Sequence, residues 1–163
     1  MAKGSLLGDP TLGSSPAQAK QQQSSASGGY ASYRPARLEL EDGSCFEGKA
    51  FGALRSVSGE VVFSTGMVGY PESLTDPSYC GQLMTLTYPL IGNYGVPRRD
   101  DDDPLCAGFE SAKIQAQALV IQILSRDYSH WNAERSLDQW LTEEGVPGIT
   151  GVDVCALTKR LRN

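Results

Sequence analysis

Four groups of residues in this chain could carry chemistry. Cys80, in Tyr79-Cys80-Gly81, is the nearest candidate for a nucleophile, and His130, the single histidine, could hold it as thiolate. A nucleophilic cysteine of the Cys-His-Glu kind sits in G-x-C-x-G on a tight strand-to-helix turn, and Cys80 lacks the glycine before it. An inert, small apolar role for Cys80 is the plainer reading. The acidic run at 100–103, between Arg98-Arg99 and Pro104, could bind a hard cation. Calcium loops alternate their ligands and bend at a glycine, so a solvated loop fits four adjacent aspartates better. Gly66-Met67-Val68-Gly69-Tyr70-Pro71 could offer backbone N–H groups to an anion, although a turn between strands explains it more simply.

The corner Thr75-Asp76-Pro77-Ser78-Tyr79 is the most suggestive polar site. Asp-Pro opens a turn, and proline fixes φ so that the following side chain points in a defined direction. The Ser78 hydroxyl could then exchange a hydrogen bond with a docked group. On physics alone the plainer reading is that Ser78 closes a turn on its own backbone. The chain holds no G-x-x-x-x-G-K-[ST], no G-x-S-x-G and no H-E-x-x-H.

The elements that must position these residues are mostly strands. Arg37-Leu38-Glu39-Leu40-Glu41 alternates with period two, Asp42-Gly43 signals a tight turn, and Ser44-Cys45-Phe46-Glu47-Gly48 alternates again, which predicts a hairpin with Gly43 at positive φ. Glu60-Val61-Val62-Phe63-Ser64 predicts a strand, and residues 83–88 another that Pro89 stops. Residues 115–124 suggest a central strand around Leu119-Val120-Ile121. Leu137, Trp140 and Leu141 recur at helical spacing, with Gly145 placed as a left-handed cap. After a short strand at 148–151, Asp153 is a natural N-cap for a last helix with Leu157 and Leu161 on its inner face. Trp131 and Trp140 read as core or interface residues. The fold class is α+β, in layers around one core.

Residues 1–35 are rich in Ser, Gln, Gly and Ala and are expected to be a disordered extension, with the folded domain at 36–163. Lys3 and Lys20 against Asp9 faintly suggest a transit peptide, but the first arginine is Arg34. With 40% hydrophobic and 20% charged residues the chain reads as globular, and a net charge of -5 gives no basic face for nucleic acid or anionic membrane. The longest apolar run, residues 116–124, falls far short of the roughly 20 residues that span a bilayer. Cys45, Cys80, Cys106 and Cys155 form no C-x-x-C pair and are expected to be reduced thiols, with no metal site.

Several blocks together resemble one family. They are Leu40-Glu41-Asp42-Gly43, Gly59-Glu60-Val61-Val62-Phe63, residues 65–72, Leu74-Thr75-Asp76-Pro77-Ser78-Tyr79, residues 86–95 and Leu157-Thr158-Lys159, in the family's order and spacing. Over about residues 37–163 the chain resembles the amino-terminal domain of the small (glutaminase) chain of carbamoyl phosphate synthetase, in its eukaryotic pyrimidine-type form. The resemblance implies a layered β/β/α domain that helps hold the large synthetase chain. It implies as partners a class I glutamine amidotransferase domain, the large chain and L-glutamine, with ATP and Mg on the large chain and no cofactor in this domain. Ser78 matches the serine of the family's D-P-S-Y corner, which reaches across to the glutamine, so the resemblance makes Ser78 a glutamine contact. No nucleophile, base or ATP site carries over. The amidotransferase part is absent from this sequence, so residues 1–163 alone are expected to be inactive. The chain departs from the family at Asp153-Val154-Cys155, where Asp-Thr-Arg is common.

The leading reading is thus a domain of glutamine-dependent carbamoyl phosphate synthetase, supporting glutamine hydrolysis and ammonia delivery for pyrimidine or arginine synthesis. The rival is a non-catalytic module that binds and regulates a synthetase large chain. A third reading is a Cys80-dependent hydrolase. The expected location is cytoplasmic, with mitochondrion or plastid as alternatives.

Overall fold

The computed structural model describes residues 2–8, 34–98, 108–129 and 133–162. Its centre is a closed barrel of seven strands, and period-two burial explains why these segments form it. The hairpin is built from β2 (Pro35–Leu40) and β3 (Cys45–Gly52), joined where the sequence predicts. Along β2 Ala36, Leu38 and Leu40 are buried while Arg37 and Glu39 face solvent. Gly43 has φ 83, and the Asp42 carboxylate accepts from the Ser44 N–H at 2.8 Å.

The remaining walls are β1 (Ala2–Gly8), β4 (Val57–Ser64), β5 (Gln82–Leu86), β8 (Ala118–Val120) and β11 (Pro147–Thr150). Around the barrel the order is β1-β2-β3-β11-β8-β5-β4, with β4 pairing back to β1. The contacts β11–β8, β8–β5 and β5–β4 are parallel, and the others are antiparallel. Two small sheets lie outside it, β6 (Leu90–Ile91) with β9 (Ile123–Leu124), and β7 (Val96–Pro97) with β10 (Ala133–Arg135).

Alternation divides the apolar side chains into two cores. Leu83, Ala118, Val120 and Ile149 join Leu38 and Leu40 inside the barrel, whereas Met84, Leu86, Leu119 and Ile121 face an outer cluster. That cluster is covered by α1 (Tyr70–Thr75) and α2 (Leu137–Glu143), which contribute Leu74, Trp140 and Leu141. The third helix, α3 (Val154–Arg162), sends Leu157 into the barrel cluster.

Local signals account for the helix ends. Ser136 and Gln139 form a reciprocal capping box on α2. At its other end Gly145 has φ 71, the Val146 N–H donates to Leu141 O, and the Gly145 N–H donates to Thr142 O, a Schellman closure. Asp153 accepts from the Ala156 N–H at 2.9 Å, the expected cap of α3. The two changes at Val154 and Cys155 leave that cap intact, since Val154 is buried and Cys155 exposed.

The α+β class holds, with a sheet-rich chain and few helices. Three sequence expectations need correction. Residues 2–8, expected within a disordered extension, form β1, because the β2 and β4 edges supply backbone partners that no local pattern could announce. Residues 9–33 lie outside the described residues. The segment 66–71, read as a turn between strands, leads into a helix instead, for α1 starts at Tyr70. The single strand expected at 115–124 is split, since the chain pairs at 118–120, turns aside at Ile121-Gln122, and pairs again in a different sheet.

Candidate functional site

The Ser78 corner is a short rigid excursion between α1 and β5. Gly69, at φ 81, admits the chain into α1 with Pro71 in its first turn. Asp76 precedes Pro77 and is held extended at φ -69, ψ 121, which ends the helix. A 3-10 turn over Pro77–Tyr79 follows. The Asp76 carboxylate accepts from the Ser78 N–H at 2.8 Å, and the Ser78 hydroxyl also bonds to it. These bonds hold the Asp76 carboxyl below its ordinary value, the backbone bond first and the hydroxyl second. Ser78 itself is exposed, while Tyr79 packs against the outer core.

Behind the corner, polar contacts anchor the backbone. Thr75 is buried, its hydroxyl donating to Pro71 O at 2.8 Å and accepting from the Glu110 N–H at 2.9 Å. The Ser111 hydroxyl donates to Thr75 O at 2.5 Å, and the Gln115 N–H donates to Leu74 O at 2.8 Å. A bridge between Cys80 and Ala116 closes the other side. Such a frame aims Ser78 outward and keeps the turn from collapsing onto itself.

A second loop lies at the other end of α1, between β4 and the helix. The N–H groups of Gly69 and Tyr70 both donate to the Tyr94 hydroxyl, at 2.8 and 3.1 Å. Tyr70 and Tyr94 stack with ring centroids 4.3 Å apart, and the Tyr70 hydroxyl donates to Gly95 O at 2.5 Å. Burial raises both phenols above the ordinary tyrosine value, Tyr70 the further, so they act as neutral hydrogen-bonding groups. The anion-nest reading of 66–71 therefore loses the N–H groups of Gly69 and Tyr70 to Tyr94. What the loop does present is apolar, for Met67 is 70% and Val68 79% exposed.

The other candidates separate from this site. Cys80 is an exposed free thiol, and His130 lies outside the described residues, as do Trp131, Cys106 and the acidic run at 100–103. Cys45 and Cys155 are free and exposed as well. Among the described residues no cluster of His, Cys, Asp or Glu could hold a metal ion, and no helix is long and apolar enough to cross a membrane. Sequence reasoning singled out Ser78 but missed Asp76 as its holder and Tyr94 as the anchor of the neighbouring loop. The Asp-Pro-Ser spacing was a usable signal for the first; Tyr94 carried none.

Comparison with known proteins places this corner in a family. The profile described as carbamoyl-phosphate synthase small chain, CPSase domain, matches residues 38–163. The chain belongs to that family. It is 59% identical over 128 residues to the multifunctional protein CAD of Squalus acanthias, covering 78% of this chain and 6% of that protein. It is 51% identical over 158 residues to the multifunctional protein ura1 of Schizosaccharomyces pombe, covering 95% of this chain and 7% of ura1. The carbamoyl phosphate synthase arginine-specific small chain of Yarrowia lipolytica is 54% identical over 134 residues, 81% of this chain and 30% of that one. The chain thus spans less than a third of the length of these relatives.

Proposed function

We propose that this chain serves as the amino-terminal domain of the small chain of a glutamine-dependent carbamoyl phosphate synthetase. It supports glutamine hydrolysis and ammonia delivery without performing either. The single observation that carries this is the exposed Ser78, pre-set by Asp76 on a turn braced from behind. In this reading its hydroxyl exchanges one hydrogen bond with glutamine held by an amidotransferase domain. The large synthetase chain is the second partner, and ATP and Mg act there, with no cofactor in this domain. The exposed Met67 and Val68 fit an apolar docking contact. The layered β/β/α arrangement belongs to the same proposal, the two walls of the barrel supplying the β layers and α1 with α2 the third. The product feeds pyrimidine or arginine synthesis, in the cytoplasm or an organelle.

The test uses the assembled enzyme. Ser78→Ala should raise KM for glutamine by several-fold, as expected for one hydrogen bond of about 0.5–1.5 kcal/mol, and leave synthesis from free ammonia unchanged. Residues 1–163 alone should release no ammonia from glutamine. Unchanged glutamine kinetics together with intact assembly would favour the rival, a regulatory binding module, for which Met67 and Val68 would suffice.

A further inference from the structure

β1 stands apart from the other six walls of the barrel. It lies outside residues 38–163, the part matched by the family profile, and reaches the rest of the chain only through residues 9–33, a stretch dominated by Ser, Gln, Gly and Ala. Yet it is paired on both edges, from Gly4↔Leu40 to Gly8↔Ala36 along β2 and from Ala2↔Val61 to Leu6↔Val57 along β4. The side chains add little to this double ladder. Leu6 alone goes deep into the interior, at 2% exposure. At Gly4 a Cβ would stand 2.6 Å from Val61 Cγ2 and 3.2 Å from Leu40 Cδ2, so glycine is what fits there. Clefts flank the strand on its outer side, one beside Leu7, Arg37 and Glu47, the other beside Lys3, Glu39 and Ser58.

This is how a sheet binds an added strand: backbone bonds give affinity, and the inward positions give selectivity. We propose that the channel between β2 and β4 is a strand-binding site, and that residues 2–8 are its tethered, exchangeable occupant. The site takes an extended segment, antiparallel to both neighbours, with glycine beside Val61 and leucine two residues later. Its entrance is also the corner where α3 ends. The Arg162 guanidinium lies 5.1 Å from the centre of the Phe63 ring, and Phe63 is two residues beyond Val61, the partner of Ala2. The end of α3 therefore lies at the Ala2 end of the channel, opposite the Gly8 end where the native tether joins.

The test starts from the full chain carrying a specific protease site inserted within residues 9–33. After cleavage of the folded protein, the amino-terminal piece should co-elute with the barrel. A labelled peptide of residues 2–8, in excess, should then replace it one for one, and the same peptide with Gly4→Val should compete at least tenfold more weakly. Uncut protein should take up little label, because the tether keeps the native strand at high effective concentration. Loss of the piece with unchanged amide protection in the barrel would overturn the proposal, as would unfolding on cleavage or a retained piece that millimolar peptide never displaces. A second variant, with residues 2–8 moved behind residue 163 on a short Gly/Ser linker, should show the same amide-protection pattern. A collapsed permutant would mean that the strand depends on chain order, and would equally overturn it.

Discussion

The interior of the barrel and the layer outside it are built from different materials. Inside, Leu38, Leu40, Val61, Leu83, Val120 and Ile149 form an aliphatic cluster, and every wall strand has hydrogen-bonded neighbours on both sides. Outside, Tyr70, Tyr94, Phe109 and Trp140 share the packing, and hydroxyl groups fix the loops. A closed aliphatic core satisfies its own backbone and asks nothing of the loops. The outer layer spends phenol and threonine hydroxyls on holding the turns that carry Met67, Val68 and Ser78 outward. Shape at the Ser78 corner is thus set by polar contacts that can fail while the barrel stands.

The harshest way to break that contrast is Trp140→Ala. It removes a residue 2% exposed, and with it the edge-on contact with Phe109 at 5.7 Å between centroids. The expected loss is about 3–5 kcal/mol, read by urea unfolding. Native-state hydrogen exchange should show α2 and the α1 loop opening first while β5 and β8 amides stay protected. Equal loss of protection in both places would make the two cores one cooperative unit.

A finer cut is Tyr94→Phe, which keeps the ring stack but strands the N–H groups of Gly69 and Tyr70. The cost should be about 1–3 kcal/mol, the penalty of unpaired donors. Crosspeaks of residues 66–70 should broaden while those of β2 and β3 stay sharp. The barrel offers a test of opposite sign. Thr85 is fully buried and its hydroxyl has no hydrogen-bond partner among the described residues, so Thr85→Val should stabilise the chain by about 1 kcal/mol. A raised urea midpoint would confirm that the interior prefers pure hydrocarbon; a lowered one would give the hydroxyl a purpose.

What the sequence disclosed follows the same division. The β2–β3 hairpin, the Gly145 closure and the Asp153 cap were legible because period, turn and cap lie within a few residues of one another. α1 was not, for its six residues beginning Tyr70-Pro71 read as a loop until Leu74 finds its place in the outer core. β1 was beyond reach, since its partners lie some thirty to sixty positions away and its own pattern is thin. At the corner, the Asp-Pro turn could be read from physics, whereas the glutamine role proposed for Ser78 rests on the resemblance. Physics alone set Ser78 bonding to its own turn, and the observed bond to Asp76 shows a compromise: the turn is closed by the carboxylate, and the serine remains exposed.

The gentlest probe is pH, and it acts on the outermost member of the polar frame. Asp76 is held below its ordinary value first by the Ser78 N–H and next by the Ser78 hydroxyl. Its folded value lies below the unfolded one of about 3.9, so the bond is fully present above that pH and is lost as pH falls through the folded value. Between pH 5 and 8 the corner should not change. In an NMR titration the Ser78 amide should shift only in acid, together with the Asp76 carboxyl. Ser78→Ala removes the hydroxyl and keeps the backbone bond, so the midpoint should move up part of the way towards the ordinary value. Asp42, in the β2–β3 turn, is an internal control, held low by the Ser44 N–H and hydroxyl and by Arg160 of α3, and it should not respond to Ser78→Ala. An Asp76 that titrates at the ordinary value in the native chain would mean that the carboxylate does not hold the turn. The braced frame would then end at Thr75, and Ser78 would lose its fixed direction.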